Sequence, residues 1–227
     1  MIPLKDNNPT KSFPFVTIIL ISINAVVFLY QLSLNNVSGK VFVFTYGAIP
    51  YELMNSINLP LTPYIPNSVT LFTSMFLHGG PFHLGGNMLY LWIFGNNIED
   101  SMGHIKFVVF YVICGIAAVF AHTVINPGSK IPMIGASGAI AGVLGAYILL
   151  FPRAKVSTLI FFGFFIRIIE IPALIMIGFW IVIQFLSGAM SAGVQGGGIA
   201  YFAHIGGFLA GFALIVFFKK RGVRFFK

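Results

Sequence analysis

Apolar residues run through this chain in six stretches long enough to be read as membrane spans, at about 13–34, 82–98, 105–125, 135–152, 171–190 and 199–218. A helix that crosses hydrocarbon needs roughly 20 mainly apolar residues, at about 1.5 Å of rise each over a core of about 30 Å. A further apolar stretch, 156–166, lies between Lys155 and Arg167 and is too short to cross, so it reads as part of a loop or as a helix extension. The first stretch follows Lys5 and Lys11, as the apolar part of a signal peptide would. It is too long for that and lacks a small-residue cleavage site, so it reads as a retained span. One connection is long, 35–81, and is rich in Pro and aromatic residues (Tyr46, Pro50, Tyr51, Pro60, Pro63, Tyr64, Pro66). Such a segment belongs at the membrane interface or against the bundle. The pattern therefore predicts an all-α, polytopic membrane protein: a six-helix bundle with a long interfacial first loop.

Composition agrees and adds an orientation. Of 227 residues, 58% are hydrophobic and 8% charged, with a mean hydropathy of +0.95. A water-exposed surface normally needs about a quarter of residues charged, so an ordinary soluble domain is excluded. The net charge of +8 would suit nucleic acid in a soluble protein, but here it reads as a bias between membrane faces. With the N-terminus inside, the inner connections and tails hold Lys5, Lys11, Lys106, Arg153, Lys155, Arg167, Lys219, Lys220, Arg221, Arg224 and Lys227, and the outer ones only Lys40 and Lys130. That asymmetry predicts both termini in the cytoplasm of a cell with this protein in its plasma membrane. Residues 1–12 form a cytoplasmic segment, 13–218 the membrane domain and 219–227 a basic tail. Cys114, the one cysteine, excludes an intrachain disulfide and any multi-cysteine metal site. No metal or cofactor is expected.

Strongly hydrogen-bonding groups inside spans are costly, which makes each a candidate for function. The second, fourth and sixth spans run from outside to inside and carry such groups near their outer ends: His83 and Asn87, then Ser137, then His204. The first inner charges, Glu99, Arg153 and Lys219, follow His83, Ser137 and His204 by 16, 16 and 15 residues. At helical rise the three lie roughly 22–24 Å above the inner boundary, about 6–8 Å below the outer one. Gly138 and Gly142, and likewise Gly207 and Gly211, have the spacing that lets two helices approach closely. That closeness is what a Ser–His hydrogen bond needs.

A serine hydroxyl becomes a nucleophile when a base takes its proton, and His204 is the candidate base for Ser137. His83 and Asn87, four apart on one helical face, can both aim donors at a developing oxyanion, joined by the Ser137 N–H at a helix start. Asp6, Glu52, Glu99, Asp100 and Glu170 fall in terminal or loop segments, which leaves a dyad rather than a triad.

At these residues the chain resembles the rhomboid family of intramembrane serine proteases, in its prokaryotic six-span form. The resemblance rests on His78-Gly79-x-x-x-His83-x-x-x-Asn87, Gly135-Ala136-Ser137-Gly138 and Ala203-His204-x-x-Gly207-x-x-x-Gly211. The Gly47-Ala48 start of the first loop and Glu99-Asp100-x-x-Gly103 extend it over about 13–218. It implies Ser137 as nucleophile, His204 as general base, and Asn87, His83 and the Ser137 amide as the oxyanion hole. His78 would organise the first loop, and Trp180 matches a bulky gate residue on a span that leans away to admit substrate. Ala141 stands where many members carry an aromatic residue that stacks on the catalytic histidine, which leaves open what orients His204. Implied partners are single-pass transmembrane substrates and the bilayer, with no nucleic acid.

Other classes fare worse on inventory. A zinc membrane protease needs His-Glu-x-x-His on one helix face, and the chain has none. An aspartyl type needs two aspartates within spans, and neither Asp6 nor Asp100 is in one. The serine motif ends in Ala139, so it is not a Gly-x-Ser-x-Gly elbow. A channel would need a polar path through the inner two-thirds of the spans, which is missing. A non-catalytic relative that binds transmembrane helices is the remaining alternative.

Overall fold

The structure, a computed structural model, describes residues 2–57, 59, 63, 65–162, 165–191 and 200–226. Pro60, Tyr64, position 199 of the sixth stretch and Lys227 lie outside the described residues. In chain order the elements are β1 (Ile2–Asp6), α1 (Phe15–Ser33), α2 (Asn36–Tyr46), α3 (Pro50–Asn55), α4 (Asn67–Thr73), a 3₁₀ turn (Ser74–Phe76), α5 (Pro81–Tyr90), a π turn (Leu91–Gly95), α6 (Asn96–Met102), α7 (His104–Ile125), α8 (Ser137–Leu150), β2 (Lys155–Phe162), β3 (Phe165–Pro172), α9 (Ala173–Ser191) and α10 (Tyr201–Phe218).

Four helices, Phe15–Ser33, His104–Ile125, Ala173–Met190 and Tyr201–Phe218, are long and apolar enough to cross a membrane, and Ser137–Leu150 is a shorter apolar helix. The second apolar stretch is one helical run through α5, the π turn and α6. Side chains are sorted as a lipid solvent demands. On α1, Val26, Leu29 and Leu32 are exposed while Thr17 and Asn24 are buried, Asn24 donating to the Leu20 carbonyl at 2.7 Å. The protein is thus a polytopic helical membrane bundle.

At the centre stands α8, buried continuously from Gly138 to Tyr147. It packs on α7 and α10 through small residues, because lipid tails are as apolar as leucine and close backbone approach supplies the dispersion contact instead. A Cβ on Gly207 would strike the Gly138 carbonyl, one on Gly211 the Gly142 carbonyl, and one on Gly142 would stand 2.5 Å from Cys114. Fourteen residues span only about 21 Å, so a helix that ends at the basic face leaves its N-terminal residue, Ser137, short of the opposite face.

The long first connection packs on the bundle. Ala48 pairs with Met133 in an isolated antiparallel bridge, the Tyr51 N–H donates to the Ser129 carbonyl at 2.9 Å, and Ala48, Ile49, Met75 and Leu77 are buried.

Three strands accompany the helices. The described residues of the stretch 156–166 are strand, not loop or helix extension: β2 pairs antiparallel with β3 on one side, Val156 opposite Ile171, and with β1 on the other, Val156 opposite Asp6. β-Branched and aromatic residues together make up most of the two later strands, and a short apolar run does not by itself distinguish strand from helix. Buried Val156 and Thr158 face the bundle, and Asp6 on the same face accepts from the Tyr147 hydroxyl at 2.5 Å and from Asn97 Nδ2 at 2.9 Å. Two backbone bonds then join α9 to the loop before the sheet, from Ala173 N–H to the Ala154 carbonyl and from Leu174 N–H to the Pro152 carbonyl.

Glu99 and Asp100 tie the N-terminal segment to α6. Fully buried Glu99 accepts from the N–H groups of Val16 and Thr17 at 2.9 and 2.8 Å, and from the Thr17 hydroxyl at 2.7 Å. These are N–H groups of the first turn of α1, which have no partner within their own helix, and the helix dipole favours a carboxylate there. His104, exposed at the start of α7, lies with Nδ1 2.6 Å from Glu99 Oε1.

Candidate active site

Ser137 opens α8, so its N–H and those that follow have no partner one turn back. Its hydroxyl Oγ lies 2.8 Å from Nε2 of His204, in the first turn of α10. The glycine contacts between α8 and α10 bring these two backbones together one turn below. Of the residues singled out in the sequence, Gly138, Gly207 and Gly211 hold this approach, and Ser137 and His204 meet because of it.

The orientation of His204 comes from α9. Its Nδ1 is 2.8 Å from Gln184 Oε1, while Gln184 Nε2 donates to the Trp180 carbonyl at 3.3 Å. The amide oxygen has only lone pairs to offer, so Nδ1 carries the proton and Nε2 presents its lone pair to the serine hydroxyl. The Trp180 ring, one turn away on the same face, lies over His204 with centroids 5.7 Å apart and planes inclined by 36°. Ala141 is buried and offers no ring. Trp180 and Gln184, on the neighbouring helix, are the residues that contact the His204 ring.

On the other side of Ser137, His83 and Asn87 converge on Gly135. A Cβ there would stand 2.8 Å from His83 Nε2 and 3.7 Å from Asn87 Nδ2. With φ of +123°, Gly135 also occupies a conformation that other residues rarely adopt. Its N–H donates to the Ser74 carbonyl at 2.8 Å. The Gly79 N–H donates to His83 Nδ1 at 3.3 Å, which leaves the proton on Nε2, facing the site. Asn87 Nδ2 is buried without a hydrogen-bond partner among the described residues. Two donors, His83 Nε2 and Asn87 Nδ2, are therefore held beside Gly135, two residues before Ser137.

His78 lies behind this pair, 2% exposed, its ring edge-on to His83 at 5.1 Å. Gln31 of α1 clamps its backbone, accepting from the His78 N–H at 3.0 Å and donating to its carbonyl at 3.2 Å. A cavity of about 30 Å³ borders Ser137, lined in part by Ser74, Met75, Gly135 and Ala203. It has room for a methyl group or one water. Among the described residues no three His, Cys, Asp or Glu side chains cluster as metal ligands.

Sequence reasoning missed Gln184 and Gln31. The signal was present in both: an amide inside an apolar span, the class of residue that had already drawn attention to Asn87.

This arrangement has the parts of acyl-transfer chemistry: a hydroxyl on a neutral imidazole nitrogen, an acceptor behind that imidazole, and donors beside the hydroxyl. Comparison with known proteins gives the family. The model of the Rhomboid domain matches residues 66–221. "Rhomboid protein 1, mitochondrial" of Saccharomyces cerevisiae is 30% identical over 182 residues, covering 76% of this chain and 49% of that protein. "RHOMBOID-like protein 1" of Arabidopsis thaliana is 28% identical, covering 74% of this chain and 39% of its own. "Rhomboid protease GluP" of Bacillus subtilis is 33% identical over 144 residues, covering 63% and 24%. The chain spans about half or less of the length of these relatives. Since the matched domain takes in Ser137, His204, His83 and Asn87 together, the chain belongs to the rhomboid family.

Proposed function

We propose that this protein is an intramembrane serine endopeptidase that cleaves transmembrane segments of single-pass membrane proteins. The observation that carries the reading is the 2.8 Å contact from Ser137 Oγ to His204 Nε2, with the opposite ring nitrogen held by Gln184. A relative whose name states protease activity, GluP, adds support. In this reading the protein crosses a prokaryotic plasma membrane six times with both termini cytoplasmic, and 13–218 is the protease domain.

Ser137 attacks the scissile carbonyl while its proton passes to His204 Nε2, and the resulting imidazolium is stabilised through Nδ1–H by Gln184. Negative charge gathers on the carbonyl oxygen, where His83 Nε2–H, Asn87 Nδ2–H and the Ser137 N–H receive it. Collapse of the tetrahedral intermediate expels the amine, which takes the proton from His204. Water then repeats the sequence on the acyl-enzyme. A helical amide is internally hydrogen-bonded, so the substrate has to unwind before attack, which favours helix-weakening residues below the cut. The small cavity beside Ser137 favours a small residue just before it. In this reading Trp180, on α9, is the gate residue.

Labelling by a fluorophosphonate tests the nucleophile. Covalent attachment mapped to Ser137, and lost in Ser137→Ala, is expected. A folded protein that does not label would favour a family member that binds transmembrane helices without cutting them.

A further inference from the structure

Away from the site, on the half of the bundle that ends in the basic cluster, a groove of about 560 Å³ opens along the seam between α9 and α10. Its deep wall is Ile181 and Phe208, both nearly buried, and its lips include Leu149 and Leu174. Phe226 closes one side, its N–H donating to the Leu149 carbonyl at 3.1 Å. Arg153 stands in the lining as its one charged member.

The charges nearby are unevenly engaged. Lys219 Nζ donates to the Val223 carbonyl at 2.8 Å and Lys220 Nζ to the Asp100 carbonyl at 2.7 Å. Lys155 pairs with Glu170. Arg153, and Arg221 and Arg224 of the tail that supplies Phe226, have no ion pair among the described residues. An apolar groove with the unpaired Arg153 guanidinium in its lining is complementary to an amphiphile whose head is an anion, and arginine suits phosphate geometry.

Size narrows the choice further. An extended acyl chain fits a groove of this volume. Apart from Arg153 the lining has no side-chain donor or acceptor, so a peptide would leave its backbone groups unpaired there.

We infer that this groove binds one anionic phospholipid, with an acyl chain along Ile181 and Phe208 and the phosphate at Arg153. The site is separate from Ser137 and its occupancy does not depend on proteolysis.

Native mass spectrometry of the detergent-purified, delipidated protein tests this, using phosphatidylglycerol and phosphatidylcholine of matched acyl chains. The expected result is a one-to-one phosphatidylglycerol adduct retained at least about fivefold over phosphatidylcholine, with a melting temperature raised by phosphatidylglycerol, because a ligand of the folded state stabilises it. Arg153→Gln should abolish the preference, and Leu174→Trp, which fills the groove from its exposed lip, should reduce both adducts. Lipid-free melting temperatures of the two variants establish that they fold. Equal retention of the two lipids by the wild type, or unchanged phosphatidylglycerol retention in both variants, overturns the inference. So does a photo-crosslinker at position 174 that captures a second copy or another protein in membranes instead of lipid.

Discussion

Gln184 and Ser137 bind opposite nitrogens of the same imidazole, each at 2.8 Å from His204. The first contact determines which nitrogen carries the proton and hence what the second can do. A histidine with the other tautomer would present N–H to the serine and could not accept its proton.

Gln184→Leu should therefore lower kcat while KM and melting temperature stay close to wild type. A hydrogen bond of about 1–1.5 kcal/mol corresponds to roughly a tenfold loss of rate. Gln184→Glu, which keeps an acceptor at the same place, should retain more activity than the leucine variant. Steady-state cleavage of a transmembrane substrate at several concentrations separates kcat from KM. A rise in KM alone would assign Gln184 to substrate binding.

Asn87 gives a second graded outcome. Loss of one oxyanion-hole donor costs up to the order of 10²–10³ in rate. His83 Nε2–H and the Ser137 N–H remain in Asn87→Ala, so a loss of about 10- to 100-fold with residual activity is expected. His83→Ala together with Asn87→Ala should lose more than either alone, measured in the same assay.

Gly211 should be intolerant of a single added methyl. A Cβ there meets the Gly142 carbonyl, which belongs to another helix's backbone and cannot rotate away. Overpacking of this kind costs about 1–3 kcal/mol, so Gly211→Ala should lower the melting temperature. Gly178→Ala, on α9 with open space where its Cβ would go, is the matched control and should leave it unchanged or slightly raised.

Stability at acid pH should report on Asp100, which lies past the second apolar stretch. Burial would raise its carboxyl pKa, but the Ser12 hydroxyl, the N–H groups of Lys11 and Ser12, and the charge of Lys220 outweigh that and hold it below 3.8. A lowered folded-state pKa contributes stability that is complete above the unfolded value of 3.8 and is lost as pH falls through the folded one. Wild type should accordingly lose stability below about pH 4 more steeply than Asp100→Asn, with the gap between them narrowing. Thermal melts at stepped pH give the comparison.

What could be read from the chain and what could not divide along physical lines. His83, Ser137 and His204 stood out because charges mark the membrane boundary and helical rise converts residue counts into depth. The glycine pairs stood out because small residues at a spacing of four have few other uses in lipid. Gln184 carries the same kind of signal as Asn87 and needed only the same question asked of the fifth span. The sheet is different. β1 and β2 lie about 150 residues apart in the chain, and nothing local in Ile2–Asp6 announces a partner at Val156. Glu99 is similar: its role as acceptor for the first turn of α1 depends on a helix 82 residues away, so its charge alone read as a boundary marker.

The most direct test of the central claim is cleavage of a model single-pass substrate by purified protein in liposomes, with Ser137→Ala and His204→Ala beside the wild type and folding checked by melting temperature. The account predicts a defined cut within or next to the transmembrane segment by the wild type and loss of cleavage in both variants. Cleavage by Ser137→Ala at the wild-type rate would contradict it.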